Sequence, residues 1–176
     1  GYHGISTFTS SANVKVTEFM RDLGYGAKNT YNRYCFEESS PVANLFLNLK
    51  YMLERDANVE ENNYFTEVHH YNNVYLLENN AYLPLGFLAD SQLSNVDFSV
   101  DNNRFSFQNQ LMRAASGIEG NVWNSMSESA LTITPSDAVQ IKSQSGVGYA
   151  SYETTNKTGT ITYTYVADRS GFLCID

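Results

Sequence analysis

The sequence predicts an α+β fold, in which a mixed helix and antiparallel-sheet N-terminal part precedes a β-sandwich or jelly-roll-like C-terminal part. Apolar residues recur at helical spacing in three places, each beside a polar capping residue or a glycine stop. Elsewhere they alternate with polar residues, and from Ala130 onward only short alternating runs remain. We therefore expect an α+β subdomain over residues 1–120 and a sandwich-like subdomain over residues 121–176, with the boundary near residues 117–130.

The first predicted helix follows Asn13, whose side chain can accept a hydrogen bond from a free backbone N–H group of the first turn. Gly24 and Gly26 favour an end to this helix, because glycine readily adopts the conformation that stops a helix. Its apolar face carries four residues: Val16, Phe19, Met20 and Leu23.

The second helix begins at Pro41, because Ser40 is a good N-cap and a proline at the first helical position loses no hydrogen bond. From Leu49 the spacing changes to the alternation of a half-buried strand. Leu49, Tyr51 and Leu53 are expected on the buried face of that strand.

A β-hairpin is predicted over Phe65–Tyr71 and residues 74–78, because the Asn-Asn pair between them tolerates the positive φ of a tight turn. Residues 81–88 form a further apolar run. Pro84 cannot donate a backbone hydrogen bond, so we interpret this run as an edge strand or the start of a strand.

The third helix begins near Ser106 and ends at Gly117. Its inner face carries Phe107, Leu111, Ala114 and Ala115. Three amides, Gln108, Asn109 and Gln110, lie on or beside that face. Buried amides must find hydrogen-bond partners, so a structural clamp is the preferred interpretation and a substrate contact the alternative.

The C-terminal part carries short strand patterns at residues 131–134, 139–142, 147–154 and 161–166. Strands at this spacing suggest a sandwich or jelly roll. The module is either complete here or continued by strands beyond Asp176.

Composition and charge exclude some classes of function. The formal net charge is −8, with no basic block to offset it. A surface of this sign repels phosphate backbones and anionic headgroups, so no nucleic-acid partner is expected. Cys35 and Cys174 either form a long-range disulfide or remain two buried thiols, and without a C-x-x-C pair they indicate no zinc site.

Four aromatic residues lie in an irregular polar stretch: Tyr25, Tyr31, Tyr34 and Phe36. Aromatic faces stack on the apolar faces of sugar rings, so these residues are candidate glycan contacts. Large aromatic side chains are usually at least partly buried, so packing over the edge of a sheet is the alternative, and the preferred one.

The other polar clusters give no assignable chemistry. His69 and His70 face opposite sides of a strand, and Glu67 is expected beside His69, which is too few ligands for a metal site. Carboxylates cluster at Glu54, Asp56, Glu60 and Glu61, and again at Asp97 and Asp101. Spacing alone cannot place two of them across a scissile bond. No catalytic, metal-binding or cofactor-binding residue is assigned.

Several segments carry a family resemblance: LNLKYML at residues 47–53, VYLLEN at 74–79 and LPLGF at 83–87, supported by residues 6–11 and 107–111. Together they resemble the extracytoplasmic portion of YfhO-like bacterial multi-pass membrane proteins. The resemblance implies a parent glycosyltransferase that uses polyprenyl-phosphate sugars and decorates cell-wall polymers such as lipoteichoic acid.

The resemblance also implies a location and partners. The chain would lie at the extracellular face of the bacterial plasma membrane, tethered by membrane helices outside this sequence, which has no run of about 18 apolar residues. The catalytic carboxylate and the sugar donor would belong to that missing part, so this chain would hold no cofactor of its own. It would cap the active site or guide the acceptor, with the rest of the same protein and a cell-wall glycopolymer as partners.

Three other functions stay open from the sequence. A stand-alone glycan-binding or adhesin-like module shares the aromatic-rich composition. An accessory domain of a membrane transporter and a soluble hydrolase are the remaining alternatives.

Overall fold

The computed structural model describes residues 4–27, 33–36, 40–55, 64–97, 103–126, 131–145, 149–155, 158–168 and 170–171. The chain divides into two compact units, residues 1–123 and 124–176. Helices and strands together confirm the α+β class. In chain order the elements are β1 (Thr7–Phe8), α1 (Val14–Asp22), β2 (Gly26–Ala27), β3 (Arg33–Cys35), α2 (Pro41–Phe46), β4 (Tyr51–Arg55), β5 (Phe65–Tyr71), β6 (Val74–Asn79), a 3-10 helix (Ser91–Asn95), α3 (Arg104–Ser116), β7 (Leu131–Pro135), β8 (Val139–Ser145), β9 (Tyr149–Thr154) and β10 (Ile161–Tyr165).

Among the described residues, the core of the first unit forms where α1, α2 and α3 meet. Leu23, Ala43, Phe107 and Leu111 are buried together. Partly buried apolar side chains pack around them, and the rings of Phe19 and Phe107 meet edge to face with their centroids 5.8 Å apart. Burial of this apolar surface is the main stabilising contribution to the unit.

The predicted caps of α1 and α2 and the predicted end of α3 are confirmed. The Ser40 hydroxyl accepts a hydrogen bond from the Ala43 N–H at 3.2 Å, and Asn13 caps α1 in the same way. Gly117 ends α3 in the left-handed conformation, with φ 68°. Two details differ from the prediction. α3 begins at Arg104, because Asn103 caps it, and Val16 on α1 is exposed.

A three-stranded antiparallel sheet with the order β4-β6-β5 carries the predicted hairpin. The turn is confirmed, with Asn72 at φ 53°. The predicted buried face of β4 is wrong, because Tyr51 is 48% exposed and Leu53 73% exposed. In the register of the sheet Met52 pairs with the buried Leu77, so the face carrying Met52 points to the protein interior.

Residues 81–88 contain no strand, which corrects the predicted edge strand. The Leu83 N–H donates to the Leu45 carbonyl at 3.1 Å, and the Asn48 side-chain amide donates to the Leu83 carbonyl at 2.5 Å. The backbone of Leu83 is therefore hydrogen-bonded to the end of α2 and not to a neighbouring strand. Pro84 follows at once and has no N–H to donate.

The second unit carries the predicted short strands as two antiparallel pairs. β7 pairs with β10 from Leu131 to Pro135, and β8 pairs with β9 across a bulge. Lys142 of β8 and Glu153 of β9 form an ion pair on the surface of their hairpin. A sandwich built from these strands stays a prediction.

Within the described parts of the chain, no helix has both the length and the apolar composition needed to cross a membrane.

Candidate functional site

The aromatic group lies on a small antiparallel sheet with the order β1-β3-β2. Tyr25 directly precedes β2, Tyr34 is the central residue of β3, and Phe36 follows that strand. Tyr34 and Phe36 are two residues apart and face the same side, as alternation along a strand requires. The ring of Tyr25 contacts both, with centroid distances of 6.5 Å and 6.2 Å and edge-to-face geometry.

The three rings differ in what they can offer to a ligand. Tyr25 is only 2% exposed, whereas Tyr34 and Phe36 are partly exposed. A ligand could therefore stack on Tyr34 and Phe36, while Tyr25 supports them from beneath. Tyr31 lies outside the described residues, so its predicted role is not tested.

The buried position of Tyr25 changes its acidity. Burial raises the pKa of the Tyr25 hydroxyl, the Ser6 hydroxyl acts in the opposite direction, and Cys35 and Tyr34 add smaller increases. The hydroxyl has no partner at hydrogen-bond geometry among the described residues. The Ser6 hydroxyl instead accepts a hydrogen bond from the Phe36 N–H at 3.1 Å, which fixes the chain beside the exposed rings.

The other face of β3 carries polar contacts. The Arg33 guanidinium donates to the Cys35 sulfur at 3.4 Å, and the Cys35 thiol donates to the Gly26 carbonyl at 3.6 Å. Because neighbouring strand residues point to opposite faces, Arg33 lies on the side away from Tyr34. The aromatic face is therefore uncharged on β3. Cys174 lies outside the described residues, so the choice between a long-range disulfide and two thiols is not tested.

A buried amide clamp joins the helices of the first unit. Gln108 on α3 is 1% exposed and donates from Nε2 to the Leu23 carbonyl at 2.8 Å. Its Oε1 accepts from the Ser40 hydroxyl at 2.9 Å and from the Trp123 indole N–H at 2.7 Å. One side chain thus binds the end of α1, the start of α2 and the segment that follows α3.

Asn109 completes the clamp. It donates to the Trp123 carbonyl and accepts from the Trp123 N–H, both at 2.8 Å. The amides of Gln108 and Asn109 are therefore occupied by structural hydrogen bonds, as the sequence predicted. Trp123 was not anticipated. The sequence indicates this role only through the residue type, because the indole N–H of a tryptophan needs an acceptor when it is buried.

The predicted pairing of Glu67 with His69 is wrong. A bulge between Glu67 and His69 shifts the register, so the two side chains lie on opposite faces of β5. Glu67 instead lies 2.8 Å from Nδ1 of His70, whose ring also contacts Tyr75. His69 and His70 do face opposite sides, as expected.

The carboxylate clusters bring no chemistry together within the described parts of the chain. Asp56, Glu60, Glu61 and Asp101 lie outside those parts, and the described Glu54 and Asp97 belong to different segments. No group of three or more potential metal ligands forms among the residues that the structure describes.

A family model described as bacterial membrane protein YfhO matches residues 1–172. The match extends well beyond the segments quoted above and includes β7 to β10. Neither the curated proteins nor the solved structures yielded a match.

Proposed function

The chain belongs to the YfhO family of bacterial membrane proteins, and from that premise we propose that it is the non-catalytic extracytoplasmic domain of a membrane glycosyltransferase. The parent protein would use a polyprenyl-phosphate sugar donor to decorate a cell-wall polymer such as lipoteichoic acid. This domain would guide the acceptor polymer or cap the active site.

The aromatic face is the observation that carries the proposal. Tyr34 and Phe36 present two ring surfaces side by side, and the buried Tyr25 ring fixes them from behind. Such pre-positioned rings lose little conformational entropy on binding, which favours weak and repeated contacts along a polymer.

The charge of the chain sets the kind of contact. With a net charge of −8, the chain does not attract a phosphate-rich polymer through its overall field. The charged Arg33 lies on the opposite face of β3 from Tyr34, so it does not contribute a positive charge to the aromatic face. Recognition would therefore rest on stacking against sugar rings, and its affinity should change little with salt.

The proposal is tested by an NMR chemical-shift titration of the 176-residue chain with teichoic-acid fragments and short glycans. We expect saturable shifts centred on Tyr34 and Phe36 and on Ser6, whose hydroxyl is hydrogen-bonded to the Phe36 backbone. A Tyr34→Ser variant should lose these shifts. Tyr71→Ser is the matched control, because Tyr71 is an exposed tyrosine on a different sheet.

Two outcomes would contradict the acceptor-guiding role. The first is an absence of shifts at millimolar ligand, which would leave only a structural cap. The second is equal loss of shifts in the Tyr34 and Tyr71 variants, which would show that binding does not depend on the aromatic face.

A second experiment tests the location. Phe8 is exposed on β1, so a Phe8→Cys substitution in the full parent protein supplies a reactive thiol on this domain. A membrane-impermeant maleimide should label it in intact cells. Labelling only after lysis would place the domain on the cytoplasmic side and refute the extracytoplasmic assignment.

A further inference from the structure

Residues 84–89, here termed the leucine loop, expose apolar side chains from a well-anchored backbone. Leu85 and Leu88 are almost completely exposed. The loop is nevertheless hydrogen-bonded at both ends, through Leu83 to Leu45 and through the Asp90 N–H to the Ala115 carbonyl at 2.9 Å.

One aromatic contact holds the middle of the loop. The ring of Phe87 packs edge to face on Phe46 of α2, with the centroids 5.9 Å apart. The Phe87 ring therefore packs against α2, whereas Leu85 and Leu88 are exposed to solvent. The two leucines are displayed by a supported loop.

The charge pattern around the loop fits a bilayer. No charged residue occurs between Glu78 and Asp90. At the base of this stretch, the Lys50 ammonium lies 5.0 Å from the ring centre of Tyr51 and 5.3 Å from that of Tyr82. It also forms an ion pair with the Glu78 carboxylate at 3.7 Å. Exposed leucines with tyrosines and a lysine behind them are the composition of segments that lie at the boundary between lipid headgroups and acyl chains.

We propose that the leucine loop inserts Leu85 and Leu88 into the interfacial region of the lipid bilayer, with Lys50, Tyr51 and Tyr82 at headgroup depth. The Lys50–Glu78 ion pair and the two tyrosines suit the polar headgroup region, and the uncharged loop complements the acyl boundary. The inference rests on membership of a membrane-protein family and on this loop, and it is independent of glycan binding at Tyr34.

The contact is weak on its own. Two leucines give only marginal, reversible membrane binding, but a domain tethered to a membrane protein meets the bilayer at high effective concentration. The net charge of −8 opposes anionic lipids, so the loop should prefer zwitterionic bilayers. An electrostatic surface contact would show the reverse preference.

The test uses phosphatidylcholine vesicles containing a small share of nickel-chelating lipid, with the 176-residue chain attached by a histidine tag at either end. A Leu88→Trp variant reports contact through quenching by brominated phosphatidylcholine. Phe8→Trp is the matched control, because Phe8 is an exposed aromatic residue on β1, outside the leucine loop. The native Trp123 contributes the same background fluorescence to both variants.

We expect quenching and a blue shift of the Leu88→Trp emission and neither for Phe8→Trp. Adding Leu85→Ser should lower the equilibrium constant for bilayer contact by about threefold to tenfold, because one interfacial leucine is lost. Unchanged circular dichroism would show that this variant is folded.

Three results would overturn the proposal. One is the absence of selective quenching with the tag at either end, and another is quenching that Leu85→Ser leaves unchanged. The third is a blue shift of Leu88→Trp that depends on protein concentration without lipid, which would assign the loop to contact with a second copy of the chain. Shifts at Tyr34 in the glycan titration would not be affected by any of these results.

Discussion

Replacing Gln108 with methionine keeps the volume of the side chain and removes both of its polar groups. The Leu23 carbonyl, the Ser40 hydroxyl and the Trp123 indole N–H then each lose a hydrogen bond. A protein hydrogen bond contributes about 1 kcal/mol, and a buried group left without a partner costs more. Ser40 keeps its bond to Ala43 and Trp123 is only partly buried, so we expect a loss of about 3–4 kcal/mol in unfolding free energy.

Urea denaturation followed by circular dichroism measures this loss. All described helices lie in the first unit, so the helical signal follows the unit that the clamp stabilises. Gln110→Met is the matched control, because Gln110 is a partly buried glutamine on the same helix. A loss below about 1 kcal/mol for Gln108→Met, or an equal loss for both variants, would refute the clamp, since a typical net hydrogen bond alone is of that size.

Three further predictions concern the α2 cap, a strained glycine and the buried Tyr25. Ser40→Ala removes the cap of α2 and one clamp hydrogen bond and should cost about 1–2 kcal/mol by the same denaturation; a cost near zero would contradict the cap. Gly24→Ala should cost about 1–2 kcal/mol, because φ is +85° and the new Cβ would lie 3.1 Å from Gln108 Nε2, whereas Gly86→Ala meets open space and should be neutral. Burial raises the pKa of Tyr25 above 10.0, so the native state keeps its proton longer than the unfolded chain and loses stability as the pH rises above 10.0. Tyr25→Phe should reduce this alkaline loss without lowering stability at neutral pH, and an unchanged alkaline slope would show that Tyr25 does not cause it.

Features fixed by local chemistry were predictable from the sequence. Ser40 before Pro41 marks a helix start because both residues act within one turn. The Asn-Asn turn marked the hairpin in the same way. The clamp by Gln108 and Asn109 followed from the rule that buried amides must be satisfied, although the rule could not name Trp123 as the partner.

Features set by pairing between distant segments were not predictable. The inner face of β4 depends on which face of β6 is buried, and a one-residue choice of register exchanges Met52 and Leu53. Because of the bulge in β5, Glu67 lies on the same face as His70 and not His69. No residue type in this part of the sequence indicates a bulge. The sequence predicts an edge strand or the start of a strand over residues 81–88, because apolar content alone does not reveal whether a neighbouring strand is present.

The aromatic site lies between these cases. The sequence indicated that rings cluster near β3, and it allowed both packing and ligand contact. The structure divides the roles by burial, with Tyr25 inside and Tyr34 and Phe36 at the surface. Glycan contact at those two rings stays a prediction.

The central claim is tested most directly by the sugar-to-phosphate ratio of lipoteichoic acid in cells whose parent protein carries Tyr34→Ser. Under the proposed function Tyr34 contacts the acceptor and takes no part in the chemistry, and Tyr71→Ser controls for the loss of an exposed tyrosine. At equal protein levels in the membrane, we predict a lower ratio for Tyr34→Ser and an unchanged ratio for Tyr71→Ser. A Tyr34→Ser ratio equal to that of the unmodified protein would contradict the claim that this domain guides the acceptor.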